Sequence, residues 1–418
     1  MIDFTKQMKK EYTIICPDIF PIHMGLIEDI FVSRGYNLKV VRYEGQAVID
    51  AGLKYLHNDM CYPAICSLGQ LLYALTCGDF DPHKSALIFF QTGGGCRASN
   101  YLFLLRKALK KMGMGYVPVI AVSFGGYEKY SGFKITLPMI RAGVASIIYG
   151  DMLMLLRNRV APYEITEGES DELIKRWTRE LTAQFRRRRG ACKRDVRRNL
   201  AAIAADFAAV GLRDEKRIKV GIVGEIYVKY SPFANHNLEK FLDSQGCEYM
   251  IPGVFGFFQY CAANMETDHR YYGGSGLKAF AGRLIERYAE KYEELMIDAL
   301  SIYPQFPAPL PFSGLKELSD RVIDRGVKMG EGWLLTGEIA ELIEKGYPNV
   351  ICAQPFGCLP NHIVAKATIR RLRELYPRRK HFPRGLRRGR VRSKSGEPDQ
   401  TYACDSGRER KCLNSDST

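Results

Sequence analysis

The stretch ALIFFQTGGGCRASNY, residues 86–101, runs from a continuous apolar segment through three glycines to a cysteine and into a segment rich in Leu and Lys that continues to about residue 112. An unbroken apolar run closed by glycine reads as a strand buried on both faces, and the segment after it as a helix. Working outward, EYTIICP (11–17), YNLKVVRY (36–43) and VPVIAVS (117–123) read as further strands, with an amphipathic helix over roughly 22–34. RIKVGIVGEIY (217–227) opens a second strand–helix series that closes with YPNVICAQ (347–354). Apolar strands separated by helical crossovers predict an α/β fold with parallel sheets covered on both faces. The expected organisation is a first α/β lobe over 1–165, a helical basic connector over 166–214, a second lobe over 215–376 and an irregular basic tail over 377–418.

The formal net charge is +15, but it is concentrated. Residues 183–198 hold eight basic and one acidic residue, and residues 377–418 hold twelve basic and five acidic, which leaves the rest nearly neutral. Arg186, Arg187, Arg188 and Arg189 are able to touch phosphates, yet a solvated helix in a connector displays the same run, and no nucleic-acid motif accompanies it. No nucleic-acid partner is expected. The apolar run 143–156 has polar breaks and falls short of the roughly 20 residues that span a bilayer, so no membrane partner is expected either. Twelve cysteines without regular spacing, behind a start that lacks a signal-peptide apolar stretch, predict the reducing cytoplasm.

Three cysteines stand where a loop runs into a helix: Cys61 in NDMCYPA, Cys96 in QTGGGCRASNY and Cys358 in QPFGCLPNH. A thiolate there faces the positive end of the helix dipole and unpaired N–H groups, which favours the charged, metal-binding form. Cys96 and Cys358 follow strand ends, where doubly wound sheets bind ligands. Pro63 and Pro360 each lie two residues past a cysteine, a place where proline starts a helix without losing a needed N–H. Gly93, Gly94 and Gly95, and Gly357 before Cys358, let backbone approach a bulky inorganic ligand and offer it amides. Three ligands rather than four leave one metal corner open. Zinc is the competing reading, but its sites usually carry close CxxC pairs, and none is present. Widely spaced single cysteines suit an iron–sulfur cluster instead. Cys66, Cys77, Cys247 and Cys261 read as small buried hydrophobes; Cys16 and Cys352 end strands and stay open as extra ligands. Glu225, at an expected strand end, is a candidate base or orienting group, and His362 a candidate partner of cluster or substrate. Arg97 is placed to neutralise thiolate charge, His23 to point toward the cleft, and Asn235 to cap a helix.

CYPA, GGGCR followed by Tyr101, GEIYVKYSPFANHNL and QPFGCLPNHI resemble the 2-hydroxyacyl-CoA dehydratase component family, of the 2-hydroxyglutaryl-CoA dehydratase D-component type, and more closely its uncharacterised branch linked to CoA-enzyme activase proteins. The resemblance covers about residues 10–376. It implies two Rossmann-like or flavodoxin-like lobes and an oxygen-sensitive 4Fe-4S cluster on Cys61, Cys96 and Cys358. It further implies loss of water from a 2-hydroxyacyl-CoA through a ketyl radical anion, after one electron arrives from an ATP-dependent iron–sulfur activator. Implied partners are that activator, the acyl-CoA substrate and, as an optional companion, a related cluster-bearing subunit. Family relatives that act as double-cubane reductases, and a non-catalytic partner of the activase, are the alternatives. The chain has no GxxxxGK[ST] phosphate loop of its own.

Past Tyr376 the pattern breaks, and the composition reads as disordered. A slip of the reading frame accounts for it: permitted codons for residues 389–403, moved one base forward, allow GASEVNQVNRIKLML, which resembles the family's closing helix. Residues 380–388 similarly allow a strand. On this reading Cys404 and Cys412 are not ligands.

Overall fold

The continuous apolar runs all form strands, and they pair in two separate sheets. β1 (Thr13–Pro17), β2 (Asn37–Val41), β3 (Ser85–Gln91) and β4 (Val119–Ser123) take the order β2-β1-β3-β4, parallel throughout. β5 (Ile218–Gly224), β6 (Cys247–Met250), β7 (Asn349–Pro355) and β8 (Lys380–Leu386) repeat the arrangement as β6-β5-β7-β8, also parallel throughout. The computed structural model describes residues 2–57, 59–91, 95–123, 128–377 and 380–386. Both sheets belong to one compact unit that extends to Leu386.

In each sheet the strand order reverses beside the first strand, between β1 and β3 and again between β5 and β7. Crossover helices leave in opposite directions at such a point, so the carboxyl ends there stay accessible to a ligand. Helix Tyr62–Ala74 is buried along nearly its whole length, and its Tyr62, Ile65 and Cys66 pack with Tyr227, Val228, Ala234 and Ala353 from the second half of the chain. That apolar cluster ties the two sheets together directly beneath their carboxyl ends. The contribution of each fully buried large side chain is about 1.5–3 kcal/mol.

Helix Leu137–Val160 has the length and composition to cross a membrane, alone among the described residues, and 67% of its apolar window is buried inside the fold. It serves as a core helix. Its Tyr149 hydroxyl donates to Gly190 and accepts from Asn199, which anchors the helices Glu169–Arg186 and Lys193–Ala208. Those helices turn Trp177, Leu181, Phe185, Leu200, Ile203 and Phe207 inward and leave Arg187, Arg188 and Arg189 in solvent.

Two elements depart from the sequence expectation. Residues 380–386, inside the stretch read as aperiodic tail, form β8 against β7. An edge strand needs only free backbone groups on one side, not an apolar pattern, and an edge is also where Pro383 is tolerated. The remainder of that stretch, with the frame-slip segment 389–403, lies outside the described residues. β6 carries Glu248 in a position with no exposure to solvent. Its carboxylate is held by Arg159, Tyr163, Tyr347 and Lys219, all distant in sequence.

Candidate functional site

The site is built where the loops after β3 and β7 meet the start of helix Tyr62–Ala74. The Tyr62 N–H donates to the Phe356 carbonyl at 3.0 Å. Gly357 has φ +73°, in the left-handed region, and a Cβ on it would lie 3.1 Å from the Cys61 Cα and 3.0 Å from the Arg97 guanidinium. Glycine is therefore required there twice over, for the turn and for the approach. Cys61, Arg97 and Cys358 are brought to one place although their loops arise from different sheets. On the other side, a Cβ on Gly95 would strike the Met329 sulfur at 2.1 Å, which brings the Cys96 loop against residues of the second half. Gly94 lies outside the described residues, as does Gly93.

All three cysteines cap helical turns. Cys61 precedes helix Tyr62–Ala74 with Pro63 in its first turn. Cys358 precedes helical residues that begin at Leu359. Cys96 heads a short 3-10 turn, Arg97–Asn100, rather than the expected α-helix, which starts at Tyr101. Each sulfur has a hydrogen-bonding neighbour suited to a thiolate. The Ala98 N–H reaches the Cys96 sulfur at 3.4 Å, the Asn361 side-chain amide donates to Cys358 at 3.2 Å, and the Tyr101 hydroxyl sits 2.8 Å from Cys61.

The expectation that helix starts would favour the thiolate is corrected here. Desolvation raises all three thiols: Cys61 and Cys358 upward, Cys96 to about 11. Burial outweighs the dipole, the hydrogen bonds and the Arg97 charge felt at Cys61, and the carboxylates of Glu225 and Glu331 add to it. A cationic centre bound there would reverse that balance, as coordination deprotonates a thiol outright. Cys352 is buried and its thiol donates to Asn361 at 3.4 Å, so it sits one side chain behind Cys358. Cys16 is buried against the Pro17 carbonyl.

The second sheet supplies carboxylates. Glu225 follows β5 and accepts the Val228 N–H at 2.9 Å; Glu331 accepts the Ile226 N–H at 3.0 Å. Desolvation first, and then the charge of Glu331, raise Glu225 to about 8. Glu331 is raised by desolvation as well. The nearby ammonium of Lys229 is already held by Glu338, at 2.8 and 3.0 Å, both groups being buried. The charges of Glu225 and Glu331 are felt at Cys96 and Cys358.

Glu331 was missed in the sequence because no motif surrounds it. One signal was present: it stands between Gly330 and Gly332, both at positive φ, in a loop that must turn sharply. His362 is exposed; its backbone N–H donates to the Cys358 carbonyl at 3.2 Å and its ring pairs with Gln354. It thus stands beside the cysteine. The start of that helix, Asn361–Ala365, is a π-turn, a distortion frequent at functional sites. His23 does not face the cleft. It is buried and bonds Asp151 at 2.8 Å, and Asp151 also receives the Val254 and Phe255 N–H groups. Asn235 accepts the Leu238 N–H as a helix cap.

Among the described residues, no three His, Cys, Asp or Glu side chains are gathered tightly enough to hold a metal ion. The donor chemistry nevertheless fits a thiolate-bound centre: one kind of donor, each with its own hydrogen bond, presented from three helical starts. Comparison of the chain with protein-family models and with curated proteins finds no match to either.

Proposed function

We propose that this chain is an iron–sulfur protein of the 2-hydroxyacyl-CoA dehydratase type, which accepts an electron from an ATP-dependent activator and eliminates water from a 2-hydroxyacyl-CoA. The observation that carries the reading is the meeting of Cys61, Cys96 and Cys358 loops, sealed by the Tyr62–Phe356 hydrogen bond and the close approach at Gly357. Strand orders β2-β1-β3-β4 and β6-β5-β7-β8 support reading the sheets as Rossmann-like or flavodoxin-like lobes. Free thiols at all ten cysteines of the described residues suit a reducing cytoplasm.

Cys61, Cys96 and Cys358 would hold a 4Fe-4S cluster, which when bound supplies one-electron chemistry and an open iron corner. The Ala98 N–H and the Asn361 amide, with the Tyr101 hydroxyl, spread the negative charge of the three sulfurs. Glu225, at about 8, is neutral at physiological pH and able to donate a proton to a departing hydroxide. Its carboxylate is then able to take the β-proton of the substrate. Helix Tyr62–Ala74 packs an apolar cluster next to Cys61.

Anaerobic reconstitution followed by iron and sulfide analysis tests this. About four irons per chain support the dehydratase-type centre. About eight, with Cys352 or Cys16 recruited, support the double-cubane reductase, and none supports a non-catalytic partner of the activase.

A further inference from the structure

Cys352 and Gln354 stand two residues apart on β7, so their side chains share one face of the strand. Both reach the turn that follows Cys358: Gln354 pairs with the His362 ring, and Cys352 with the Asn361 side chain. Asn361 lies three residues past Cys358, the spacing that sets two side chains on one face of a helical turn. Its amide spans the two sulfurs. The Cys352 thiol donates to the Asn361 Oδ1 at 3.4 Å, and the Asn361 Nδ2 donates to the Cys358 sulfur at 3.2 Å. All three side chains are buried.

An amide has one accepting and one donating end, so the group that faces one end decides what the other end offers. Cys352 belongs to the apolar cluster of Val223, Leu335, Ile339 and Val364, where its thiol keeps the proton and offers it to the amide oxygen. Burial pushes that thiol up to about 12. Bound to iron, Cys352 would lose the proton, and the amide oxygen its donor.

We infer that Cys352 is a positioning residue and not a ligand: its S–H turns the Asn361 amide so that the N–H faces the Cys358 sulfur and eases one-electron reduction of a cluster held there. The effect on reduction rests on the dehydratase-type reading of the site, whereas the bonds themselves belong to the chain. An N–H aimed at a ligating sulfur stabilises the added negative charge of the reduced state and so raises the reduction potential. The same bonds withdraw Cys352 from the donors open to a second cubane.

Anaerobic reconstitution and redox titration test the inference. Cys352→Ala keeps the wild-type iron content, while its reduction equilibrium moves toward the oxidised form by about tenfold, or about 59 mV for one electron. Asn361→Leu moves it at least as far, and the double variant no further than Asn361→Leu. Cys352→Ser, whose hydroxyl still donates, restores most of the loss. Loss of iron in Cys352→Ala makes Cys352 a ligand and overturns the inference, as does a potential equal to that of the wild type. In metal-free protein, infrared difference spectra against Cys352→Ala isolate the Cys352 S–H stretch. That band moves to higher frequency in the Asn361→Leu background, and an unmoved band overturns the inference without any cluster. A chain that takes up no iron defeats the dehydratase-type reading and the tuning with it, while the infrared band still decides the thiol–amide contact by itself.

Discussion

Glu248 on β6 is fully buried and Glu225 just past β5 is half-buried, and their proton affinities move in opposite directions. Desolvation presses both upward. At Glu248 the hydrogen bonds of Tyr163 and Tyr347 and the charges of Arg159 and Lys219 overcome it, and the carboxyl lies below its ordinary value. At Glu225 the neighbour is another carboxylate, Glu331, while the closest cation belongs to Glu338, and the carboxyl rises to about 8. One is a structural junction, joining β6 to the segment that leaves the first sheet. The other is a strained acid at the carboxyl ends of the strands, beside the cysteines. Buried groups left without compensation concentrate at functional sites, which is the physical reason to place chemistry at Glu225 and none at Glu248.

Replacing Glu248 breaks that contrast most severely. Glu248→Ala leaves Arg159 and two tyrosine hydroxyls without their partner, and urea unfolding should show a loss of about 3–5 kcal/mol. A loss within about 0.5 kcal/mol would remove the junction from the account. Gly357→Ala comes next. It forces a side chain into the left-handed region and against Cys61, for a cost of about 1–3 kcal/mol in the same measurement, together with reduced iron uptake.

The acids themselves separate by pH. Glu248 binds its proton less tightly when folded, so its contribution is present above the ordinary value of 4.5 and fades as pH falls. Glu225 binds its proton more tightly when folded, so its contribution is complete below 4.5 and fades as pH rises through about 8. In metal-free protein, Glu225→Gln should therefore flatten the fall of Tm between pH 5 and 8. Identical slopes for variant and wild type would mean that Glu225 is an ordinary surface acid. The smallest effect belongs to the basic connector: Arg186→Ala loses the ion pair between an exposed guanidinium and the largely buried Asp29, and should lower the urea midpoint by less than Glu248→Ala does.

The strands were legible because parallel sheets demand continuous apolar runs, and those of β1, β3, β5 and β7 are unmistakable in the sequence. β6 was not, since a four-residue strand bearing a glutamate reads as loop until Arg159 and Tyr347 are seen around it. β8 escaped for the complementary reason that edge pairing is a backbone property. Within the site, the cysteines announced themselves through proline and glycine at fixed offsets. Their protonation did not, because a helix start is visible in sequence whereas the depth of burial that raises Cys358 is not. Glu331 and the Asn361 bridge between Cys352 and Cys358 depend on contacts that only the fold creates.

The central claim is that three sulfurs from separate loops serve one centre. Its most direct test is iron content and visible absorption after anaerobic reconstitution of the Cys61→Ser, Cys96→Ser and Cys358→Ser variants, with Cys247→Ser as a control. The account predicts that each of the three loses the cluster or binds it in altered form, while the control equals the wild type. Wild-type iron content and spectrum in all four variants would contradict it.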